Sequence, residues 1–193
     1  MSRKQISSFV ELDNPSISVG SYTAHPSLQV RNLGVVFDQN MSFNAHATSV
    51  SKSAYFQLHN ISRKRKSLTK DAAAACIHAF VTSKLDFCNA LLYGLPKCTS
   101  GVFKKVQYAA ARTLTCMKKT SRQHMTPVLK GLNWLPFNRR IEYKLLLVTY
   151  KAINGIGPDY IRELLEPYDP VGSLRSASDR YLLKEACQIE NWW

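Results

Sequence analysis

At 193 residues, 45% of them apolar and 10% aromatic, the chain is long enough for one domain with a buried core, which excludes wholesale disorder. Its 8 glycines and 8 prolines exclude collagen-like and linker-type sequences. The 26 Lys and Arg against 13 Asp and Glu leave a net charge of +13, which favours a polyanionic partner, nucleic acid ahead of an anionic membrane surface.

The first 40 residues carry β signals. Ile17-Ser18-Val19 and Tyr22-Thr23 flank the turn Gly20-Ser21, a hairpin pattern. Val30 to Phe37 is a run of β-formers broken by Gly34 and followed by Asp38-Gln39-Asn40, which are turn residues. Three strands at most fit here, too few for a sheet with its own core. The segment 1–42 is therefore expected to pack on something else, either the helices that follow or a separate partner.

From residue 43 the period becomes helical. Phe43, Ala47, Val50, Ala54, Leu58 and Ile61 recur at three and four, which predicts an amphipathic helix over 44–62 with Ser42 as its cap. It ends in Arg63-Lys64-Arg65-Lys66, cations suited to the negative end of a helix dipole. Thr69 caps a second helix with Asp71 in its first turn. Its apolar face is Ala74, Ile77, Val81, Leu85, Cys88 and Leu92, and Gly94-Leu95-Pro96 ends it.

A third helix is expected over about 101–119. Phe103, Val106, Ala110, Leu114 and Met117 fall on one side of the helical wheel, and Lys104, Lys105, Arg112, Lys118 and Lys119 on the other, with Tyr108 among them. Cations and a flat ring on one face suit a phosphate backbone; a plain solvated face is the alternative. After Thr126-Pro127 and Asn133-Trp134-Leu135-Pro136, a fourth helix runs from Phe137 to Asn154. It is apolar almost all round, with a narrow basic stripe of Arg140, Lys144 and Lys151, and reads as the central helix of a bundle. A short helix follows Gly157-Pro158 up to Glu166. The expected fold is α+β but predominantly α: a β segment over 1–42, a helical domain over 43–168 and a divergent tail over 169–193.

The charge is uneven along this chain. Residues 1–141 carry 20 basic and 5 acidic side chains, whereas residues 142–193 carry 6 and 8. Between Asp86 and Glu142 there are 10 basic residues and no acid. Asymmetry on this scale reads as a surface turned towards an anion.

The chemistry is mostly one of absences. No GxGxxG, P-loop, GxSxG or HExxH occurs. Cys76, Cys88, Cys98, Cys116 and Cys187 are odd in number and contain no CxxC pair, so they read as reduced, buried thiols of an intracellular protein. None of His25, His46, His59, His78 and His124 has zinc spacing with a cysteine, and His78 reads as a core histidine. Asp38 and Asp86 stand alone, whereas two-metal phosphoryl transfer needs clustered carboxylates. Tyr143 to Ile153, the longest apolar-rich stretch, is too short and too basic to span a bilayer, so no membrane partner is expected. On residues alone the chain reads as a basic helical binding module without metal or cofactor.

Several strings carry a resemblance. VRNLGVVFD at 30–38, SKSAYFQLHNISRKRKSLT at 51–69, HAFVTSKLDFCNALLYGLP at 78–96 and VQYAAART at 106–113 occur in order, followed by HMTPVLKGLNWLPFNRRIEYKLLLVTYKAINGIGPDYIRELL at 124–165. Together they resemble the C-terminal portion of reverse transcriptases of non-LTR, jockey-like (LINE-type) retrotransposons, over about residues 17–176. Asn133 stands where the family usually has His, and Phe87 where Tyr is common. Past Ser176 the likeness fades.

The resemblance implies a helical thumb that grips an RNA and DNA template–primer duplex. It places the Ala-Asp-Asp motif that binds catalytic magnesium upstream of VRNLGVVFD, so the chain is expected to lack polymerase activity of its own and to hold no magnesium. A separate palm and fingers segment is the second partner it implies. Lys104, Lys105, Tyr108, Arg112, Lys118 and Lys119 become the foremost nucleic-acid candidates. Arg63, Lys64, Arg65 and Lys66 stay open between backbone contacts, a nuclear-import cluster and a solvated turn. A domesticated protein-interaction module and a translated relic without a role are the alternatives to nucleic-acid binding.

Overall fold

The structure, a computed structural model, describes residues 16–117, 124–167 and 183–184. The expected Lys118 and Lys119 contacts, and most of the expected tail, lie outside the described residues. The chain is a predominantly helical α+β protein.

Four strands, not three, open the described chain. β1 (Ile17–Val19) pairs antiparallel with β2 (Tyr22–Ala24), and β3 (Gln29–Asn32) with β4 (Val35–Asp38). The extra strand comes from Gly34, which makes a turn instead of a break. Leu33 and Gly34 take φ of 47° and 87°, positive at both central positions as a two-residue hairpin of the I′ kind requires. A side chain at Gly34 would also meet the Phe87 ring, 3.3 Å from the position of a Cβ.

The second hairpin is tied to the first helix, α1 (Asn44–Lys64). Val35 is buried, and the Phe37 and Phe43 rings meet edge to face with centroids 5.7 Å apart. Phe43, not Ser42, stands at the cap position of α1; the Ser42 backbone N–H and hydroxyl donate to the Asp38 carboxylate, at 2.8 and 3.0 Å, and the hydroxyl accepts from the Asn44 N–H at 3.4 Å. Burial pushes the Asp38 carboxyl up, but hydrogen bonds from Ser42, Phe43 and Asn40 outweigh it and hold the group below its ordinary value.

His46, 4% exposed, accepts a hydrogen bond at Nδ1 from the Val36 N–H, 3.3 Å away. That contact requires the neutral ring. Burial first, and then the charge of Arg31, lower its pKa from 6.5. A depressed folded value means that the contribution is present above the unfolded value of 6.5 and is lost as pH falls through the lower folded value. Denaturant titrations across that window should show stability declining into acid, and His46→Gln, which keeps an acceptor but does not titrate, should flatten the decline. An unchanged pH profile in the variant would remove His46 from the account.

The second helix is shorter than its pattern. α2 (Lys70–Ile77) is capped by Thr69, whose hydroxyl accepts from the Ala72 N–H at 3.2 Å. A π-helical turn (His78–Thr82) and α3 (Ser83–Asp86) continue it. Ala73, Ile77, Val81 and Leu85 are its buried residues. Steps of four drift by about 40° each on an ideal α-helix, and the wider π turn keeps Val81 and Leu85 in line. The helix then stops at Asp86, eight residues before Gly94, because Cys88 takes φ of 51° and a 3₁₀ turn (Asn89–Leu92) follows. Cys88 is therefore exposed instead of lying on the apolar face.

α4 (Lys97–Leu114) begins after Pro96 and ends before the expected Lys119. α5 (Met125–Gly131) closes through Asn133, whose φ of 55° turns Trp134 back to donate its N–H to the Leu129 carbonyl at 2.8 Å. α6 (Phe137–Ile153), α7 (Asp159–Arg162) and the pair β5 (Glu166–Pro167) and β6 (Leu183–Lys184) complete the described chain.

The central helix is α4, not α6. Phe103, Val106, Gln107, Ala110, Ala111 and Leu114 are buried on α4, which packs against α1, α2, α5 and α6. On α6 only Phe137, Ile141 and Ala152 are buried, while Tyr143, Leu146, Tyr150 and Ile153 are exposed. Ala110 and Ala111 are fully buried on α4, and small side chains at a helix contact permit close approach. His78 is likewise exposed, with its ring 5.3 Å from that of Trp134, and the buried histidine is His46.

Candidate nucleic-acid interface

α1 and α4 lie side by side and run parallel. At their N-terminal ends the Thr99 hydroxyl donates to Asn44 Oδ1 at 2.7 Å. At their C-terminal ends Arg65 donates from Nε and Nη2 to the Leu114 carbonyl, at 3.3 and 2.9 Å, and from Nη1 to the Leu68 carbonyl at 2.9 Å. The Leu114 carbonyl is one of the four that α4 leaves without an intrahelical partner. Arg65 thus caps α4 from another helix, and its charge-assisted bonds suit that helix's negative end.

The expected cations fall into distinct groups. Lys104 and Lys105 are exposed on the outer side of α4, and Lys104 Nζ lies 5.7 Å from the Tyr108 ring centroid, a cation–π distance. Tyr108 itself is half-buried against the core. Arg112 is half-buried, and its Nε is buried without a hydrogen-bond partner in the structure. Arg63, Lys64 and Lys66 are exposed, whereas Arg65 is half-buried in the cap just described. Arg140 is held at 2.7 Å by Asp86 and donates its Nε to the Leu135 carbonyl, so the fourth helix's basic stripe is broken at its first member.

A groove of about 640 Å³ opens beside the basic end of α1. Gln57, Asn60, Arg63 and Lys64 of α1 form its polar wall, and Leu68, Cys76 and Phe80 complete it from the connecting turn, α2 and the π turn. Gln57, Asn60 and Lys64 share one helical face at spacings of three and four. That polar face was legible in the sequence, but the ring facing it comes from another element.

The resemblance implies magnesium in the full family enzyme. Among the described residues no three His, Cys, Asp or Glu side chains group to hold a metal ion, and the carboxylates of Asp38 and Asp86 are engaged by Ser42 and Arg140. Cys88, Cys98 and Cys116 are exposed and Cys76 is half-buried, a correction to the expectation of buried thiols. No helix among the described residues is long and apolar enough to cross a membrane. No family model, curated protein or solved structure matches the chain.

Proposed function

We propose that this chain binds nucleic acid without catalysing a reaction, as the thumb-like portion of a non-LTR retrotransposon reverse transcriptase, holding a template–primer duplex of RNA and DNA. The observation that carries this reading is the Arg65 clamp. It joins the basic end of α1 to the C-terminal end of α4, so Arg63, Lys64 and Lys66 lie at the same end of the bundle as Arg112 in the last turn of α4. Lys104 and Lys105 are exposed on the outer side of α4, fixed there because the inner side of that helix is buried.

Affinity for an RNA–DNA duplex should fall with salt, with a log–log slope of roughly −0.7 to −0.9 per phosphate contacted. Reversing Lys104 and Lys105 to glutamate should make that slope shallower by about 2. Arg65→Met should lower the unfolding temperature while leaving the slope unchanged, because its charge is spent on carbonyls. If the lysine reversals leave the salt dependence intact, the outer side of α4 is not the contact surface.

A second reading rests on α6. Tyr143, Leu146, Tyr150 and Ile153 are all exposed, and their spacing of three, four and three makes one stripe. An interaction module would use that stripe to bind a protein. In the same binding experiments, a salt-insensitive protein complex lost on Leu146→Asp and unaffected by the lysine reversals is the outcome that favours it.

A further inference from the structure

The groove beside α1 has a composition that a duplex grip does not need. Phe80 is 50% exposed, whereas Val81 next to it is fully buried. Adjacent residues of a helix point about 100° apart, so Val81 in the core leaves Phe80 of the π turn (His78–Thr82) facing outwards. Across the groove stand two carboxamides, Gln57 and Asn60, and two cations, Arg63 and Lys64, and no carboxylate lines it. Phe56 lies one turn before Asn60 and two turns before Arg63 on α1 and is 64% exposed, so a second ring flanks the same cations.

We propose that this groove binds an unpaired strand of nucleic acid, with a base stacked on Phe80, its edge facing the carboxamides of Gln57 and Asn60, and its phosphates against Arg63 and Lys64. This is a different site from the outer side of α4 and a different ligand from a duplex, whose bases are stacked on each other and offer no face to Phe80. Three features select the ligand. An aromatic platform beside a cationic track is the arrangement that holds single strands without strict sequence preference. Carboxamides bond readily to base edges, adenine's above all. A volume of about 640 Å³ lies within the usual range for small-molecule sites of roughly 300–1,000 Å³, room for a nucleotide unit. Arg65 does not belong to this track, since its guanidinium faces the Leu68 and Leu114 carbonyls.

The test uses the full 193-residue chain, a labelled single-stranded oligoadenylate and a blunt RNA–DNA duplex, both followed by fluorescence anisotropy. Phe80→Ala should weaken single-strand binding by about 5- to 160-fold, the range that loss of one base–aromatic stack gives, and change duplex affinity by less than about twofold. Phe80→Trp keeps a platform and should bind the single strand as well as the unmodified chain or better. Arg63→Glu with Lys64→Glu should flatten the salt dependence of single-strand binding.

Single-strand affinity unchanged in Phe80→Ala, or lost equally for strand and duplex, overturns the proposal. So does a Phe80→Trp variant that unfolds cooperatively yet binds as poorly as Phe80→Ala. The two sites are separated by Lys104→Glu with Lys105→Glu. If those reversals spare the duplex while Phe80→Ala still costs the single strand, the groove stands and the duplex reading falls. If the pattern is the reverse, the duplex reading stands and the groove falls.

Discussion

Phe103→Ala is expected to lower the free energy of unfolding by about 3–5 kcal/mol, the usual cost of emptying a buried phenylalanine site. The side chain is 1% exposed. Its ring stacks on that of Phe137 with centroids 4.9 Å apart and planes inclined by 14°, and lies 6.5 Å from the His46 ring. One side chain thus joins α4 to α6 and to the α1 end that receives the second hairpin. Aromatic pairing adds about 0.5–1.5 kcal/mol to simple burial, so Phe103→Leu should cost less than alanine yet still weaken the fold. Chemical denaturation with matched slopes measures the effect, and a loss below about 1 kcal/mol would mean that the inner side of α4 does not face Phe137. The consequence for binding is direct. Lys104 and Lys105 follow Phe103 in the chain, and they keep a fixed position only while Phe103 anchors the helix beneath them.

Much of the fold was legible in the sequence, because apolar spacing records which side of a helix is buried. Phe103, Val106, Ala110 and Leu114 are buried as the wheel requires. Spacing does not record how many neighbours a helix has. The apolar character of Phe137–Ile153 suggested a central place, yet α4 holds that place and Tyr143, Leu146, Tyr150 and Ile153 stand on the outside. The stop at Asp86 was not legible either, since a left-handed residue there is Cys88 and not glycine. Leu33 hid the fourth strand in the same way, by taking a positive φ without being glycine.

The basic residues of the site could be read one by one, but not their roles. Arg65 sits in a run of four cations that looks uniform in the sequence. Its partner, the Leu114 carbonyl, is 49 residues away, and only that contact separates a helix cap from its exposed neighbours Arg63, Lys64 and Lys66. Arg140 is taken in the same manner by Asp86, 54 residues distant. Among the described cations, Lys104, Lys105, Arg63 and Lys64 are exposed and fall on the two proposed contact surfaces. Phe80 lies off the apolar face that the spacing marks, and only the fold shows that it lines a groove with residues of α1.

Gln107→Leu should cost about 2–3 kcal/mol, although leucine fills nearly the same space and is the more apolar residue. Gln107 is 3% exposed. Its Nε2 donates to the Leu135 carbonyl at 2.8 Å, and its Oε1 accepts from the Phe137 N–H at 3.0 Å. The two bonds do not weigh equally. The Leu135 carbonyl also accepts from Arg140 Nε at 2.9 Å, so it stays satisfied in the variant. The Phe137 N–H belongs to the first turn of α6, where no helical carbonyl can reach it, and it is buried. Stranding that one donor carries most of the penalty, about 1–3 kcal/mol for a buried group left unpaired. Gln107→Glu separates the two bonds. Its carboxylate still accepts from Phe137 but sets an oxygen against the Leu135 carbonyl, a contact that favours the protonated form. Burial and that contact raise the glutamate's folded pKa, so the protonated form contributes stability that is present at low pH and lost as pH rises through the raised value. The deficit of Gln107→Glu relative to the unmodified chain should therefore narrow on acidification, measured by denaturant titration at each pH against the unmodified protein. The deficit of Gln107→Leu should stay constant, and a leucine variant as stable as the unmodified chain would show that the Phe137 N–H is not buried at the α4–α6 junction.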